Sequence, residues 1–328
     1  MQCQEGVGNG LTEGEAVLRV AVGIDLGGTF IKGAVIDEEG RLLVKEEVPT
    51  EAGNGADSIL RRIEQLTRRL IVASDVRANE VVGLGIGIPG FIDSSRGVAE
   101  EVINIGWRDV PVIAPLRSWL QMPVFMENDA NLAALGEAWV GAGRGYRTAL
   151  CITLGTGVGG GIIIDGKVLQ GASHMAGEIG HLVLDPLGAP CNCGHFGCLE
   201  TVSSATGVVR LARERIEKGE QTQLTLQQLT AADVFAAAER HDLLAQAVVQ
   251  EAAQTLGRGL AIAANLINPD VIVIGGGMAR AGETLFKPVR EAFSAYALRR
   301  VASATTLVPA LLGNDAGVVG AGKLALYP

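Results

Sequence analysis

The chain carries the same short pattern twice, once in each half. Residues 19–37 read RVAVGIDLGGTFIKGAVID, an apolar run, a Gly-Gly-Thr turn and a second apolar run. Residues 149–165 read ALCITLGTGVGGGIIID, with a Gly-Thr-Gly turn between two apolar runs. Short glycine turns between apolar runs predict β-hairpins. Because the segments that follow each hairpin also repeat in kind, we expect two similar α/β domains that face each other across a cleft.

The residues after these glycines exclude a dinucleotide-binding Rossmann unit, in which the glycine turn must open a helix. Here the string from Gly155 to Gly160 is followed by Ile162, Ile163 and Ile164. Residues branched at Cβ favour a strand over the start of a helix. Both glycine turns are therefore predicted to close hairpins.

Apolar periodicity predicts the elements between and after the hairpins. Apolar residues recur at helical spacing from Ile59 to Leu70. A long helix is expected over 243–266, a buried strand over 271–274, another short strand over 84–88, and a helix over 132–140.

These elements lead to a division into domains. We place a small α/β domain at residues 18–127 together with 314–328, and a large α/β domain at 128–313. Segment 314–326 is expected to return as a helix on the small domain. Residues 1–17 are polar and acidic, and we expect a disordered N-terminal extension there.

Composition limits the classes of partner. The 328 residues are 48% apolar and carry a net charge of −9 without a basic patch, which argues against nucleic-acid binding. No run reaches the roughly 18 apolar residues of a membrane helix. No basic start followed by an apolar stretch marks a signal peptide. We expect a cytoplasmic protein without a membrane partner, in a reducing compartment that suits thiolate metal ligands.

The most specific local signal is a glycine-rich loop that holds three of the five cysteines, Cys191, Cys193 and Cys198. Together with His181 they supply the Cys₃His set of a closed tetrahedral zinc site. Three cysteines cannot all pair in disulfides, and a redox loop with one cysteine left over explains the spacing less well. His195 is a rival ligand, but it lies between two ligands, where glycine turns must wrap the metal.

Two carboxylates flank this loop. Glu178 precedes His181 by three residues, and Glu200 follows Cys198 by two. They could form salt bridges around the metal, or they could bind the hydroxyl groups of a polyol. A metal that fixes the loop would also fix the direction of both carboxylates.

The two hairpin turns have a structural and a functional interpretation. Asp25 ends an apolar strand, and the Gly27-Gly28-Thr29 turn after it can bring backbone N–H groups close to a phosphate. The alternative is an Asp hydrogen-bonded to its own turn. The matching Gly155-Thr156-Gly157 turn favours the first interpretation, because two such turns could hold a polyphosphate between them.

Two further segments stay ambiguous from the residues alone. Asn128 and Asp129 precede the helix expected over 132–140, so they could be N-cap residues. A carboxylate at a helix start could equally act as a general base, kept ionised by the helix dipole. The run from Gly275 to Gly277 could be a tight turn, or backbone that lies flat against an adenosine.

Together these motifs resemble the ROK family of sugar kinases and repressors, and within it the bacterial glucokinases. The similarity runs from Val20 to the C-terminus. It rests on Asp25-Leu26-Gly27-Gly28-Thr29, Glu127-Asn128-Asp129-Ala130-Asn131, Gly155-Thr156-Gly157, Glu178-Ile179-Gly180-His181, the Cys-x-Cys-Gly-x-x-Gly-Cys-x-Glu loop and Asp315-Ala316-Gly317. The resemblance implies a duplicated actin-like, ribonuclease-H-type fold. It also implies ATP-dependent phosphorylation of glucose on its 6-hydroxyl, with Mg²⁺ and a structural Zn²⁺.

The resemblance also implies a role for each motif residue. Asp129 would be the catalytic base and Asn128 its partner in holding the sugar. The other sugar contacts would be Glu178, His181 and Glu200, with His181 also on zinc, and Gly90 and Asn104 lining the pocket from the first domain. Phosphate and Mg²⁺ would lie between Asp25, Gly27, Gly28, Thr29 and Gly155, Thr156, Gly157, and adenosine against Gly275, Gly276 and Gly277.

Several alternatives stay open. The hexose could be mannose, N-acetylglucosamine or N-acetylmannosamine, and the donor could be polyphosphate. A sugar-sensing repressor without catalysis is disfavoured, because the residues ahead of Val20 are too few for a helix-turn-helix domain. The resemblance implies a homodimer.

Overall fold

The computed structural model describes residues 19–328, so the expected extension at residues 1–17 lies outside the described residues. The strands are β1 (Val20–Leu26), β2 (Phe30–Asp37), β3 (Leu42–Pro49), β4 (Val81–Ile88), β5 (Phe91–Asp93), β6 (Val98–Val102), β7 (Trp107–Pro111), β8 (Val124–Asn128), β9 (Thr148–Leu154), β10 (Val158–Ile164), β11 (Lys167–Val168), β12 (Val271–Gly275) and β13 (Thr306–Pro309). The helices are α1 (Gly55–Ala73), α2 (Ile113–Leu120), α3 (Asp129–Val140), α4 (Glu200–Ser203), α5 (Ala205–Glu217), α6 (Ala231–Glu239), α7 (Leu243–Ile267), α8 (Glu283–Tyr296), α9 (Arg299–Ala304) and α10 (Ala316–Leu326).

The two large sheets have the same strand order. The first is β3-β2-β1-β4-β8 and the second is β11-β10-β9-β12-β13. In each sheet the glycine turn joins an antiparallel pair, β1 with β2 and β9 with β10, and the last two strands add in parallel. The duplication that the sequence predicts is therefore confirmed down to strand order and direction.

The periodic segments form the expected elements. The apolar stripe of α1 is buried at Ile59, Ile63, Leu66 and Leu70. The predicted long helix is α7, and the predicted strand after it is β12, whose residues are all buried. Within residues 19–328 no helix, α7 included, combines the length and apolar character needed to cross a bilayer.

The helix after β8 begins earlier than the sequence predicts. We expected it from residue 132, but α3 begins at Asp129. The reason is the side chain of Asn128, whose Oδ1 accepts hydrogen bonds from the N–H groups of Ala130 and Asn131 and so caps the helix. A further small sheet, in the order β5-β6-β7, lies between β4 and β8 in the chain, and no sequence pattern led us to expect it.

Two helices are exchanged between the halves. α3 follows the last strand of the first sheet yet packs on β9 and β10, whereas α10 follows the second sheet and packs on β1, β2 and β4. The two helices also pack on each other at glycine, where an added Cβ on Gly320 would lie 1.8 Å from the carbonyl oxygen of Leu132. Only glycine allows this approach of the two backbones. The return of the last segment as a helix on the first sheet is thus confirmed.

A buried carboxylate on α3 fixes the segment between β13 and α10, through which the chain returns to the first sheet. Glu137 on α3 is 3% exposed and accepts hydrogen bonds from the N–H groups of Ala142, Leu311 and Leu312. The last two residues lie between β13 and α10. Glu137 thereby fixes the start of the returning segment to the helix that begins at Asp129.

Candidate active site

The first hairpin places a carboxylate and an ammonium group at a cavity between the sheets. Asp25 on β1 pairs with Lys32 on β2, so their side chains share one face of the sheet. Both line a cavity of about 260 Å³, together with Asp129, Gly275 and Gly276. Burial raises the pKa of Asp25 to about 6, the Asp129 carboxylate adds to that rise, and Lys32 opposes it. Two nearby carboxylates and one cation suit a site for phosphates with a divalent metal ion.

The turn between β8 and α3 places Asn128 at the helix N-cap and the Asp129 side chain at the cavity. Asn128 is the N-cap, and its Nδ2 also donates to the carbonyl oxygen of Gly90 at 3.2 Å. Asp129 is the first residue of the helix, and its Oδ1 accepts from the N–H of Ala130 at 2.8 Å. Desolvation raises the pKa of Asp129, and the backbone N–H groups at the helix start counteract part of that rise. The cap is therefore filled by Asn128, and Asp129 is free to act in the cavity.

Two carboxylates and an imidazole lie next to this turn. His181 Nε2 is 3.9 Å from Glu178 Oε2, and His181 Nδ1 is 3.8 Å from Glu200 Oε1. Desolvation raises the pKa of Glu178; the charges of Asp129 and Glu200 add to the rise, and His181 opposes it. The charges of Asp129 and Glu200 therefore both act on Glu178.

The cysteine loop brings together the four groups of the expected metal site. One ligand atom from each of His181, Cys191, Cys193 and Cys198 lies within 4.8 Å of all the others. Cys193 and Cys198 have their sulfurs 3.6 Å apart, close to the edge of about 3.8 Å that Zn–S bonds of about 2.3 Å give in a tetrahedron. These residues fit a zinc ion.

His195 lies outside that set. Its Nδ1 is 3.6 Å from the sulfur of Cys193, but it is not part of the four-atom cluster. The backbone N–H of His195 is the main cause that lowers the pKa of Cys193 to about 6, whereas desolvation raises the pKa of the Cys191 and Cys198 thiols. All four cysteines in the described part of the chain are free thiols, so a disulfide does not explain the loop.

Glu200 connects the cysteine cluster to the second hairpin. Its Oε1 accepts from the thiol of Cys191 at 3.0 Å, and its Oε2 accepts from the N–H of Val158 at 3.4 Å. A Cβ on Gly157 would lie 2.7 Å from Glu200 Oε2, so a larger residue here would displace that carboxylate. The turn after β9 and the metal cluster therefore share one carboxylate.

The second hairpin borders an apolar cavity of about 480 Å³. Gly155 and Gly277 line it together with apolar side chains that include Leu154, Phe235 and Met278. The other two glycines of the segment expected to contact adenosine, Gly275 and Gly276, line the cavity of about 260 Å³ instead. The run thus lies between the two cavities, and its three residues do not all face one group of a nucleotide.

The remaining expected residues lie at or against the two hairpin turns. Gly27 and Thr29 belong to a closed turn, in which Gly27 N–H bonds Phe30 and Thr29 accepts from the N–H of Thr50. Asn104 lies against the same turn, because a Cβ on Gly28 would be 3.5 Å from Asn104 Cβ. Thr156 is exposed at the tip of the second hairpin. Direct roles for these residues remain predictions.

Sequence patterns predicted no role for Lys32, and Glu127 was named only as part of the motif at residues 127–131. Lys32 could have been found by counting through the hairpin to the residue opposite Asp25. Glu127 is 2% exposed, and it accepts hydrogen bonds from Asn128 and Asn131 nearby and from Gln170, 43 residues further along the chain. No local pattern predicts the contact with Gln170.

The duplicated sheets and the carboxylate-lined cavity between them define the actin-like ATPase fold. Within that class, the profile of the ROK family matches residues 21–327. The chain belongs to the ROK family.

Known relatives of this chain include enzymes and regulators. A glucokinase of Halalkalibacterium halodurans is 47% identical over 309 residues, which cover 92% of this chain and 94% of the relative. A ROK family glucokinase from Streptomyces griseus, solved with glucose and AMPPNP, is 35% identical with a TM-score of 0.76 and coverage of 94% and 100%. A ROK transcriptional regulator, a homologue of the Escherichia coli MLC protein, is 28% identical with a TM-score of 0.82 and coverage of 94% and 78%.

Proposed function

We propose that this protein transfers the γ-phosphoryl group of ATP to the 6-hydroxyl of glucose. The observation that carries the proposal is the position of Asp129. This residue lines the cavity of about 260 Å³ with Asp25, and its charge raises the pKa of Glu178. A carboxylate that lies between the phosphate cavity and the hexose groups can accept the hydroxyl proton during phosphoryl transfer. Glucose and ATP are supported by the glucokinase relatives at 47% and 35% identity.

The hexose would be held by the polar groups around this carboxylate. Asn128, Glu178, His181 and Glu200 supply the acceptors and donors that match sugar hydroxyls, with Gly90 at the edge of the pocket. Asp129 would take the proton of the 6-hydroxyl as its oxygen attacks the phosphorus. Most of the rate gain would come from alignment of the hydroxyl with the phosphate and from neutralised charge.

The nucleotide would span the two cavities. The adenosine fits the apolar cavity beside Met278, and the phosphates would lie between the turns at 27–29 and 155–157. Mg²⁺ fits the acidic side of the smaller cavity, where Asp25 would hold it, and it would neutralise phosphate charge. Asn104, next to Gly28, would line this region from the first domain.

The zinc ion would be structural, held by His181 and the three cysteines of the loop. It would fix the direction of Glu178 and Glu200, and the free nitrogen of His181 would face the hexose. We place the protein in the cytoplasm, because its free thiols call for a reducing compartment.

The two halves of the molecule would close on the substrates and exclude water, which would otherwise accept the phosphoryl group. One half is residues 18–127 with 314–328, and the other is residues 128–313.

We also propose that the protein forms a homodimer.

A coupled assay of ADP release tests the activity directly. The protein with Mg²⁺ and Zn²⁺ is offered glucose, mannose, fructose, N-acetylglucosamine, N-acetylmannosamine or no sugar, with ATP or polyphosphate as donor. For polyphosphate the sugar phosphate is measured. We expect strong turnover with glucose and ATP. Preference for an N-acetylated sugar would keep the mechanism and replace the substrate.

A sugar-sensing regulator is the second candidate, since a ROK transcriptional regulator shares this fold at a TM-score of 0.82. It predicts hexose binding with no turnover on any sugar of the panel. That result would reduce Asp129 to a structural residue at the start of α3.

Lys32 is expected to bind the transferred phosphate. The Lys32→Met variant should lower kcat/KM for ATP by roughly 10- to 150-fold, because a hydrogen bond to a charged group contributes about 1.5–3 kcal/mol. Lys32→Arg should keep part of the activity. The exposed Lys167 on β11 gives the control, and Lys167→Met should leave the kinetics unchanged. Full activity of Lys32→Met would show that the ammonium does not contact the phosphates.

A further inference from the structure

Glu127 is a buried carboxylate with an unusual set of partners. It is 2% exposed, and within residues 19–328 no lysine, arginine or histidine lies within 4.0 Å of it. One oxygen, Oε1, accepts from the N–H of Asn128 at 2.8 Å and from Asn131 Nδ2 at 3.1 Å. This oxygen fixes the turn that carries Asn128 and Asp129.

The other oxygen reaches a segment of the second sheet. Glu127 Oε2 accepts from Gln170 Nε2 at 2.5 Å, and the same amide nitrogen lies 3.3 Å from Ser94 Oγ on the first domain. Gln170 follows β11, so the contact crosses between the halves of the molecule. A buried carboxylate without a cation depends on such donors for its solvation.

Gln170 also anchors the segment that leads to Glu178. Its carbonyl oxygen accepts from the N–H of Ala176 at 3.0 Å, which closes the loop 170–176. Gly177 then packs on β10, where its Cβ would lie 3.0 Å from the carbonyl oxygen of Gly160. Glu178 follows directly, so its backbone position depends on where Gln170 is held.

We propose that Glu127 and Gln170 form a positioning pair, which sets the distance between the Asn128–Asp129 turn and the loop that carries Glu178. Neither side chain touches the hexose; each places a residue that does. The pair therefore governs hexose binding and alignment, while the apolar cavity for the nucleotide lies elsewhere. This inference rests on the proposed hexose kinase activity.

A reciprocal exchange of the two side chains tests the pair. In Gln170→Glu two carboxylates face each other and repel. In Glu127→Gln, two amide groups meet and the charge-assisted bond is lost. Both single variants should lose about 10- to 100-fold in kcat/KM for glucose, with KM for ATP within about twofold of the unmodified protein. Gln170→Ala serves as the milder variant if Gln170→Glu folds poorly.

The double variant Glu127→Gln/Gln170→Glu should recover most of that loss. The amide introduced at position 127 can donate to the carboxylate introduced at position 170, while the amide oxygen still accepts from Asn128 and Asn131. Gln246→Ala is the matched control, because that glutamine also makes two side-chain hydrogen bonds, to Ala238 and His241, and lines neither cavity. It should leave the kinetics unchanged.

Three results would overturn the positioning pair: single variants with unmodified kinetics, a double variant no better than the worse single one, or equal losses for glucose and ATP. A thermal-unfolding cycle on the same proteins measures the coupling of the two residues without activity. Absence of turnover in the unmodified protein would refute the kinase proposal, whereas zero coupling in unfolding would refute the pair.

Discussion

The Asp129→Asn variant is expected to lose nearly all turnover, with kcat lower by on the order of 10²–10⁴-fold. The amide cannot accept the hydroxyl proton, whereas its oxygen can still accept from the N–H of Ala130, so the turn should keep its shape. Glucose affinity should stay within about tenfold. The measurement is steady-state kinetics together with calorimetric titration of glucose into both proteins.

The stability of this variant provides an internal check. The folded-state pKa of Asp129 is raised by desolvation, so above both pKa values the ionised carboxylate destabilises the fold, and asparagine removes that cost. We expect Tm at pH 8 to be unchanged or higher. Asp57 in the first turn of α1 is the matched control, and Asp57→Asn should keep full activity. Substantial turnover by Asp129→Asn would refute the role of this carboxylate as the base.

The fold was predictable because its main signals are local and repeated. Each hairpin is encoded by apolar runs around a glycine turn, and α7 and β12 are separated by Asn268 and Pro269, a pair that ends a helix. The small sheet β5-β6-β7 was missed because its strands are short, three to five residues, and have no clear alternation. Sequence patterns on this scale do not separate a strand from a loop.

The candidate site was only partly predictable, because some of its contacts are local in the sequence and others are not. Asn128 and Asp129 were visible at a helix start, but only the structure shows that Asn128 fills the cap and that Asp129 lines the cavity. The link from Glu127 to Gln170 joins residues 43 positions apart, and its partners depend on how the two halves pack. Such long-range pairing of buried polar groups is set by tertiary structure, so no regular spacing in the sequence indicates it.

The cysteine cluster gives the second large expected effect. Cys193 is the exposed member of the set, so Cys193→Ser should remove the metal with least damage to the core. We expect zinc content to fall from one ion per chain towards zero, and KM for glucose to rise by roughly 10- to 100-fold. The reason is that Glu200 follows Cys198 by two residues, so its direction depends on a loop that the metal would hold. KM for ATP should change less.

His195→Ala separates the two histidines of the loop. His195 lies outside the four-atom cluster, and its contribution to Cys193 comes largely from its backbone N–H, which alanine keeps. This variant should therefore retain zinc and glucose affinity, whereas His181→Ala should lose both. Elemental analysis of the purified proteins and glucose titrations measure the two effects. If His195→Ala loses the metal while His181→Ala retains it, the ligand set is Cys₃ with His195, and Glu178 would then be positioned without help from the zinc ion.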